Sequence, residues 1–253
     1  MTNLEFSGAL FVIAYFAGLI GALTGLGGGI IIVPALVLLL NVDFKYAMGA
    51  SLVSVIATSS GAALTFLRQH YTNLKIGMFL EMGAIIGAMI GAMLVKFLPT
   101  SLISIVFGIV LLSSAWLSFK KRETNLPQNT ISHLPLGFAL MTIAGALSGL
   151  LGIGSGTLKV LSLDLAIGLP YKVATSTSNF MIGMTAAASA GIYLSEGYIQ
   201  PDIIFPILPG VLMGALMGSK ILVQAKPEKL RVLFTIIIFC LAVQMIYKGY
   251  SLI

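Results

Sequence analysis

The sequence repeats itself at a spacing of 127 residues, and most of the repeated residues are small. One cluster recurs close to the start of each half: Gly25, Gly27 and Gly29 correspond to Gly152, Gly154 and Gly156. A second series recurs later, in which Gly83, Gly87 and Gly91 correspond to Gly210, Gly214 and Gly218. A duplicated hydrophobic chain with glycines at matched positions is typical of secondary transporters.

The composition indicates that the chain lies in a membrane. Hydrophobic residues make up 58% of the sequence and charged residues only 9%, whereas soluble domains carry about 25% charged residues. The net charge of +6 does not require a nucleic-acid partner, because the basic residues lie in short loops between apolar runs, where orientation signals are found. The single cysteine, Cys240, excludes an intramolecular disulfide and a multi-cysteine metal site. No metal or cofactor is expected, and the oligomeric state is left open.

Each half contains five apolar segments, which predicts an all-α polytopic membrane protein. Residues 1–119 form the first membrane repeat, 120–133 a polar linker and 134–253 the second repeat. The expected segments of the first half are 7–24, 29–40, 46–67, 75–97 and 100–119. Those of the second half are 134–151, 156–167, 173–194, 203–223 and 230–250.

Loop charges predict the orientation of the two repeats. The linker begins with Lys120, Lys121 and Arg122, so we expect it in the cytoplasm. When membrane crossings are counted outward from this linker, equivalent loops of the two halves have opposite charge bias. The charges therefore predict two inverted-topology repeats.

The second segment of each half is too short to cross a bilayer. The run from Ile30 to Leu40 covers only about 16 Å at 1.5 Å per residue, half of a hydrocarbon core of about 30 Å. The run from Thr157 to Ile167 has the same length. We therefore expect the first two segments of each repeat to form a hairpin that turns near the bilayer midplane.

The glycine clusters at these turns are candidate substrate-binding sites. Backbone at membrane depth that is not helical must be buried in protein or line a cavity, and the following helix directs its N-terminal N–H groups at the turn. Two such turns could hold an anion without a charged side chain. The alternative is that the glycines only permit close helix packing, which we favour for the series from Gly83 and from Gly210. The residues predicted to bind substrate here are Gly25, Gly27, Gly28, Gly29, Gly152, Gly154, Ser155 and Gly156.

Lys159 is the one basic residue that we expect within the membrane, on the first turn of the second short helix. A buried ammonium in a bilayer requires a partner, and we interpret Lys159 as the counter-charge of an anionic substrate. The alternatives are an ion pair with Asp164 or snorkelling to the interface. Glu81, in the fourth segment, is a candidate carrier of a coupling proton, with a snorkelling interfacial carboxylate as its alternative.

The third segments are rich in small hydroxyl side chains. Most of these are expected to bond to helix carbonyls or between helices. Four polar residues lie just inside the segment starts at matched depth, and we predict that they contact substrate. They are Ser51, Thr177, Ser178 and Asn179.

The motifs around both turns resemble the TauE/SafE sulfite exporter family. In the first half these are Ala22-Leu-Thr-Gly-Leu-Gly-Gly-Gly29, a following Pro34 and Ala47-Met-Gly-Ala-Ser51; in the second, Gly152-Ile-Gly-Ser-Gly156, Lys159-Val160 and the run from Lys172 to Gly183. The resemblance implies an inner-membrane carrier for sulfur-containing anions such as sulfite, thiosulfate or organosulfonates. Ser155 stands where the family usually has glycine, and Leu161 where a proline is usual.

Three other functions would use some of the same sequence features. A carrier for a carboxylate or an anion channel could use the same donors, and counterflow would separate a carrier from a channel. An intramembrane serine enzyme at Gly154-Ser155-Gly156 would need a base within reach of the serine, and His70 and His133 lie in or beside loops. The glycine clusters lack the Lys-Ser/Thr of a phosphate-binding loop, so ATP is not expected to drive transport through this chain. The expected partners are a small anion, lipid and a coupling proton or cation.

Overall fold

A computed structural model describes residues 3–24, 27–68, 74–119, 134–165, 171–224 and 227–251. Within these ranges the chain forms ten helices and no strand, so the predicted all-α class and five segments per half are confirmed. The linker 120–133 lies outside the described residues. The helices are α1 Asn3–Thr24, α2 Gly29–Leu39, α3 Phe44–Arg68, α4 Leu74–Leu94, α5 Thr100–Phe119, α6 Leu134–Leu151, α7 Gly156–Leu165, α8 Tyr171–Ser195, α9 Pro201–Gln224 and α10 Pro227–Ser251.

The outer surface of the bundle is apolar. Large side chains such as Phe205, Trp116 and Met78 are 75%, 66% and 58% exposed. In the described part of the chain, three helices are long and apolar enough to cross a membrane, over Leu4–Ala22, Lys75–Leu94 and Pro201–Ile221. An apolar surface of this extent marks contact with a membrane or another protein, and together with the apolar helices it supports a membrane protein.

The second helix of each half is shorter than the other helices, as expected. Helix α2 has 11 residues and α7 has 10, so at 1.5 Å per residue each covers only about half of a hydrocarbon core. Each begins directly after a glycine-containing turn. The residues with positive φ angles in that turn do not continue the preceding helix.

The outer helices pack in two equivalent pairs, α1 against α9 and α4 against α6. Close backbone approach explains their glycines. A Cβ atom added at Gly87 would lie 2.0 Å from the carbonyl oxygen of Thr142, and one added at Gly214 would lie 2.0 Å from that of Tyr15. The second contact is the first one shifted by 127 residues in both partners. The predicted packing role of these glycine series is therefore confirmed.

The centre of the bundle is formed by α3 and α8, which pack against each other. At one end of the bundle, Lys96 pairs with Glu196 at 3.2 Å, and the Lys45 ammonium lies 5.4 Å from the ring centre of Tyr198. These contacts bring together the end of α4, the start of α3 and the connection between α8 and α9. The two short helices, in contrast, begin at buried turns inside the bundle.

Candidate functional site

The first glycine turn joins α1 to α2. Gly27 and Gly28 have φ angles of 78° and 68°, in the left-handed region that favours glycine. The amide of Ile31 donates to the carbonyl oxygen of Gly28 at 3.0 Å, so α2 starts at Gly29. Gly25, also predicted to bind substrate, lies outside the described residues.

The second glycine turn joins α6 to α7 and has the same shape. Gly152 and Gly154 have φ angles of 67° and 73°. Ser155 has a φ of 44°, a conformation that is strained for a residue with a side chain. Helix α7 begins at Gly156, the counterpart of Gly29. The absence of a proline at Leu161 therefore does not change where this helix begins.

The two turns meet at a pair of apolar side chains. A Cβ atom at Gly27 would lie 3.0 Å from Ile182 and 3.3 Å from Val55, and one at Gly154 would lie 2.6 Å from Ile182 and 3.0 Å from Val55. Val55 and Ile182 are themselves counterparts at the 127-residue spacing. The Cα atoms of both glycines thus face apolar groups.

Two of the four predicted polar residues contact the turns. The hydroxyl of Ser51 donates to the carbonyl oxygen of Gly152 at 2.6 Å, and that of Ser178 donates to the carbonyl oxygen of Gly156 at 3.3 Å. Thr177 lies with its methyl group beside Gly77 of α4, and Asn179 is buried. The structure therefore brings Ser51 and Ser178 to the second turn and orients Thr177 towards a different helix.

A buried ion pair lies beside the second turn. The ammonium of Lys159 is 3.0 Å and 3.2 Å from the two carboxylate oxygens of Glu81. The hydroxyl of Thr185 accepts a hydrogen bond from Lys159 and donates one to Glu81. The side chains of Lys159 and Glu81 are 0% and 1% exposed. The snorkelling alternatives for both residues are therefore wrong.

The sequence predicted that Lys159 has a partner or a ligand, but it did not predict that the partner is Glu81. Glu81 lies 78 residues away in the other half, and the side chain of Asp164 lies outside the described residues. Thr185 was not singled out at all. It could have been found from the repeat, because it is the counterpart of Thr58, whose hydroxyl donates to the carbonyl oxygen of Gly27 at 3.0 Å.

One polar atom of the second turn has no partner among the described residues. Ser155 is 1% exposed, and its hydroxyl makes no hydrogen bond. Buried hydroxyl groups are normally bonded, because leaving one unpaired costs about 1–3 kcal/mol. The amide of Lys159 donates to the carbonyl oxygen of Ser155 at 3.1 Å. The unpaired hydroxyl and the buried ammonium therefore belong to the same helical turn.

Comparison with known proteins gives a consistent result. The sequence pattern of the family described as "Sulfite exporter TauE/SafE" matches residues 10–245. The chain belongs to the TauE/SafE family. It is 29% identical to "Probable membrane transporter protein YunE" of Bacillus subtilis (strain 168), over 95% of this chain and 97% of that protein. No solved structure matches the chain significantly.

More distant TauE/SafE relatives match over most of their length as well. "Probable membrane transporter protein YdhB" of Bacillus subtilis (strain 168) is 28% identical over 83% of this chain and 88% of the relative. "Probable membrane transporter protein MJ0441" of Methanocaldococcus jannaschii is 25% identical over 90% and 91%. The TauE/SafE resemblance expected from the turn motifs is confirmed, and the chain is a membrane transporter.

Proposed function

We propose that this TauE/SafE chain is a secondary carrier for small sulfur-containing anions such as sulfite, thiosulfate or organosulfonates. The anion binds near the bilayer midplane between the two glycine turns. The observation that carries the proposal is the buried hydroxyl of Ser155, which has no partner among the described residues and lies at the N-terminus of α7. The first N–H groups of a helix and the positive end of its dipole favour an anion there.

The helix contacts support inverted repeats. Along α1 and α9, Phe11 approaches Gly210, Tyr15 approaches Gly214 and Leu19 approaches Gly218, so these two helices run in the same direction. The counterpart contacts give the same result for α4 and α6. The end of α4 meets the start of α9 near Lys96 and Glu196, so α4 and α6 run opposite to α1 and α9.

This arrangement supports hairpins that enter from opposite faces. The end of α2 lies near the end of α10, because Lys248 donates to the carbonyl oxygen of Val37 at 2.8 Å. With linker 120–133 in the cytoplasm of an inner-membrane protein, α1 and α2 open to the outside and α6 and α7 to the inside. Rocking of one repeat against the other would then expose the turns to each side alternately.

A serine enzyme at the second turn is not supported. A nucleophilic serine needs a base within hydrogen-bonding distance, and Ser155 has no such partner among the described residues. The close approach of both turns to Val55 and Ile182 closes the centre in this conformation, which favours a carrier over an open channel. The choice of a sulfur-containing anion as the substrate rests on the name of the family.

Thermal stability of the purified protein tests the substrate class. Sulfite, thiosulfate, methanesulfonate, acetate and benzoate are compared at equal ionic strength. An anion present at a hundred times its Kd adds about 2.7 kcal/mol of apparent stability. We expect stabilisation by at least one sulfur anion and counterflow of that anion in liposomes. Stabilisation only by acetate or benzoate would mean that the substrates are carboxylates and not sulfur anions. Flux without counterflow would identify a channel.

Labelling tests the topology independently of the substrate. Leu4 and Leu136 lie near the starts of α1 and α6 and are 85% and 53% exposed. Single cysteines at these positions, in a Cys240→Ala background, should react with an impermeant maleimide from opposite sides of the membrane. Reaction from the same side would exclude inverted repeats.

A further inference from the structure

The buried pair of Glu81 and Lys159 joins the two halves and is not repeated at the equivalent positions. At the 127-residue spacing, Leu208 occupies the position of Glu81, and Ile32 occupies that of Lys159. The equivalent positions on α2 and α9 therefore carry apolar side chains. Burying an ion pair is often no more stable than burying apolar residues of similar volume. The pair is thus not required by the fold, which points to a role in transport.

We propose that Glu81 and the substrate anion compete for Lys159, and that protonation of Glu81 transfers Lys159 to the anion. The carrier is then a proton–anion symporter. This inference rests on the anion-binding site proposed above and adds its coupling mechanism.

The charges of the site explain why proton and anion bind together. With Glu81 ionised and no anion bound, the charges of Glu81 and Lys159 cancel. With Glu81 protonated and a monovalent anion on Lys159, they cancel again. Either binding event alone leaves one net charge among side chains that are at most 1% exposed, and an uncompensated buried charge is strongly unfavourable.

The surroundings leave Glu81 with one charged neighbour among the described side chains. Helix α4 packs against α6 and α8. The described side chains of α6 include no titratable group, those of α8 include only Tyr193, and those of α7 include only Lys159. The Tyr193 hydroxyl donates to the carbonyl oxygen of Gly149 at 3.0 Å. On α4 itself, Lys75 is exposed at the helix start.

The proton balance of the cycle is simple. A proton from water on one side binds a carboxylate oxygen of Glu81, which releases the Lys159 ammonium to the anion. Thr185 stays bonded to Lys159 during this exchange, because its hydroxyl oxygen already accepts from the ammonium. On the other side the anion leaves, Glu81 returns the proton to water, and the ion pair forms again. A monovalent anion such as methanesulfonate then moves without net charge.

Proton uptake by the wild-type protein is the primary test, because it needs no variant. Methanesulfonate is the probe, since it is monovalent and stays fully ionised across the neutral range. In weakly buffered solution with a pH indicator, each bound anion should take up about one proton. By linkage, the anion affinity should fall about tenfold for each unit of rising pH once Glu81 is ionised in the empty protein.

Two matched variants test whether Glu81 is the group that takes up the proton. Glu81→Gln should lose proton uptake and the pH dependence of affinity. In liposomes it should lose accumulation driven by a pH gradient while retaining anion exchange. Glu196→Gln is the control, because Glu196 pairs with Lys96 at 3.2 Å but is partly exposed at the surface. That variant should keep one proton per anion.

The outcomes separate this inference from the proposed function. Anion binding by the wild type without proton uptake overturns the coupling mechanism and leaves the carrier assignment intact. Unchanged proton uptake in Glu81→Gln also overturns it. A wild-type protein that binds no sulfur anion overturns the proposed function itself. If Glu81→Gln does not fold, the proton count on the wild type still decides.

Discussion

The two glycine turns have the same backbone shape but different chemistry. The first turn places Gly28 at a φ of 68°, and the second places Ser155 at 44°. Beyond the turns, Ile32 in the first half corresponds to Lys159 in the second. Thr58 holds the first turn through the carbonyl oxygen of Gly27, whereas its counterpart Thr185 bonds to Glu81 and Lys159.

This difference separates what the architecture needs from what the chemistry adds. Both halves need left-handed glycines at the turn and close glycine contacts between outer helices, and both halves have them. Among the described residues, a buried ammonium and an unpaired hydroxyl lie at the second turn, and the buried carboxylate of Glu81, from the first half, pairs with that ammonium. The surroundings of the second turn are therefore chemically active, and those of the first turn are their apolar counterpart.

The largest expected effect comes from replacing Glu81 and Lys159 by the apolar residues found at their counterpart positions. Lys159→Ile leaves Glu81 buried without its partner, which should lower the free energy of unfolding by about 3–5 kcal/mol. The double change Lys159→Ile with Glu81→Leu reproduces Ile32 and Leu208 and should recover most of that loss. Thermal or denaturant unfolding in detergent measures both. A double variant as unstable as the single one would mean that the halves are not equivalent scaffolds.

The packing glycines should respond equally in the two halves. An alanine at Gly87 or Gly214 would place a methyl group 2.0 Å from a backbone carbonyl oxygen, and such overpacking costs about 1–3 kcal/mol. Alanine at Gly8 or Gly191 is the control, because nothing lies within 4 Å of an added Cβ there. Unequal unfolding free energies for Gly87→Ala and Gly214→Ala would mean that the two pairs of outer helices are not equivalent.

The two threonines should separate structure from transport. Thr58→Val and Thr185→Val each remove a buried hydroxyl, and each should cost about 1 kcal/mol in unfolding free energy. Only Thr185→Val should also change the pH dependence of anion binding, because only Thr185 bonds to Glu81. Titration calorimetry with thiosulfate at several pH values checks this. An equal change in both variants would contradict the division between the halves.

Much of this molecule follows from local patterns in its sequence. The short second segments were predicted at 29–40 and 156–167 and are found at Gly29–Leu39 and Gly156–Leu165, because glycine turns and apolar runs act locally. The pairing of Glu81 with Lys159 could not be predicted in this way. It joins two helices from different repeats, and neither residue has a charged counterpart that would have marked it.

The smallest expected effect on stability comes from Ser155→Gly, which copies Gly28 into the second turn. Glycine relieves the positive φ, so the unfolding free energy should rise by up to about 1 kcal/mol. Anion affinity should instead fall about tenfold, because a hydrogen bond to a charged group is lost. Unchanged affinity for thiosulfate and methanesulfonate would remove Ser155 from the site.

Anion binding by the folded double variant tests the central claim most directly. Wild type and Lys159→Ile with Glu81→Leu are compared by titration with thiosulfate and methanesulfonate, after unfolding curves show that both are folded. The account predicts saturable binding by the wild type and none by the double variant, since both sets of equivalent positions then carry only apolar side chains. Equal affinity in the two proteins would contradict the account and leave the buried pair a structural feature only.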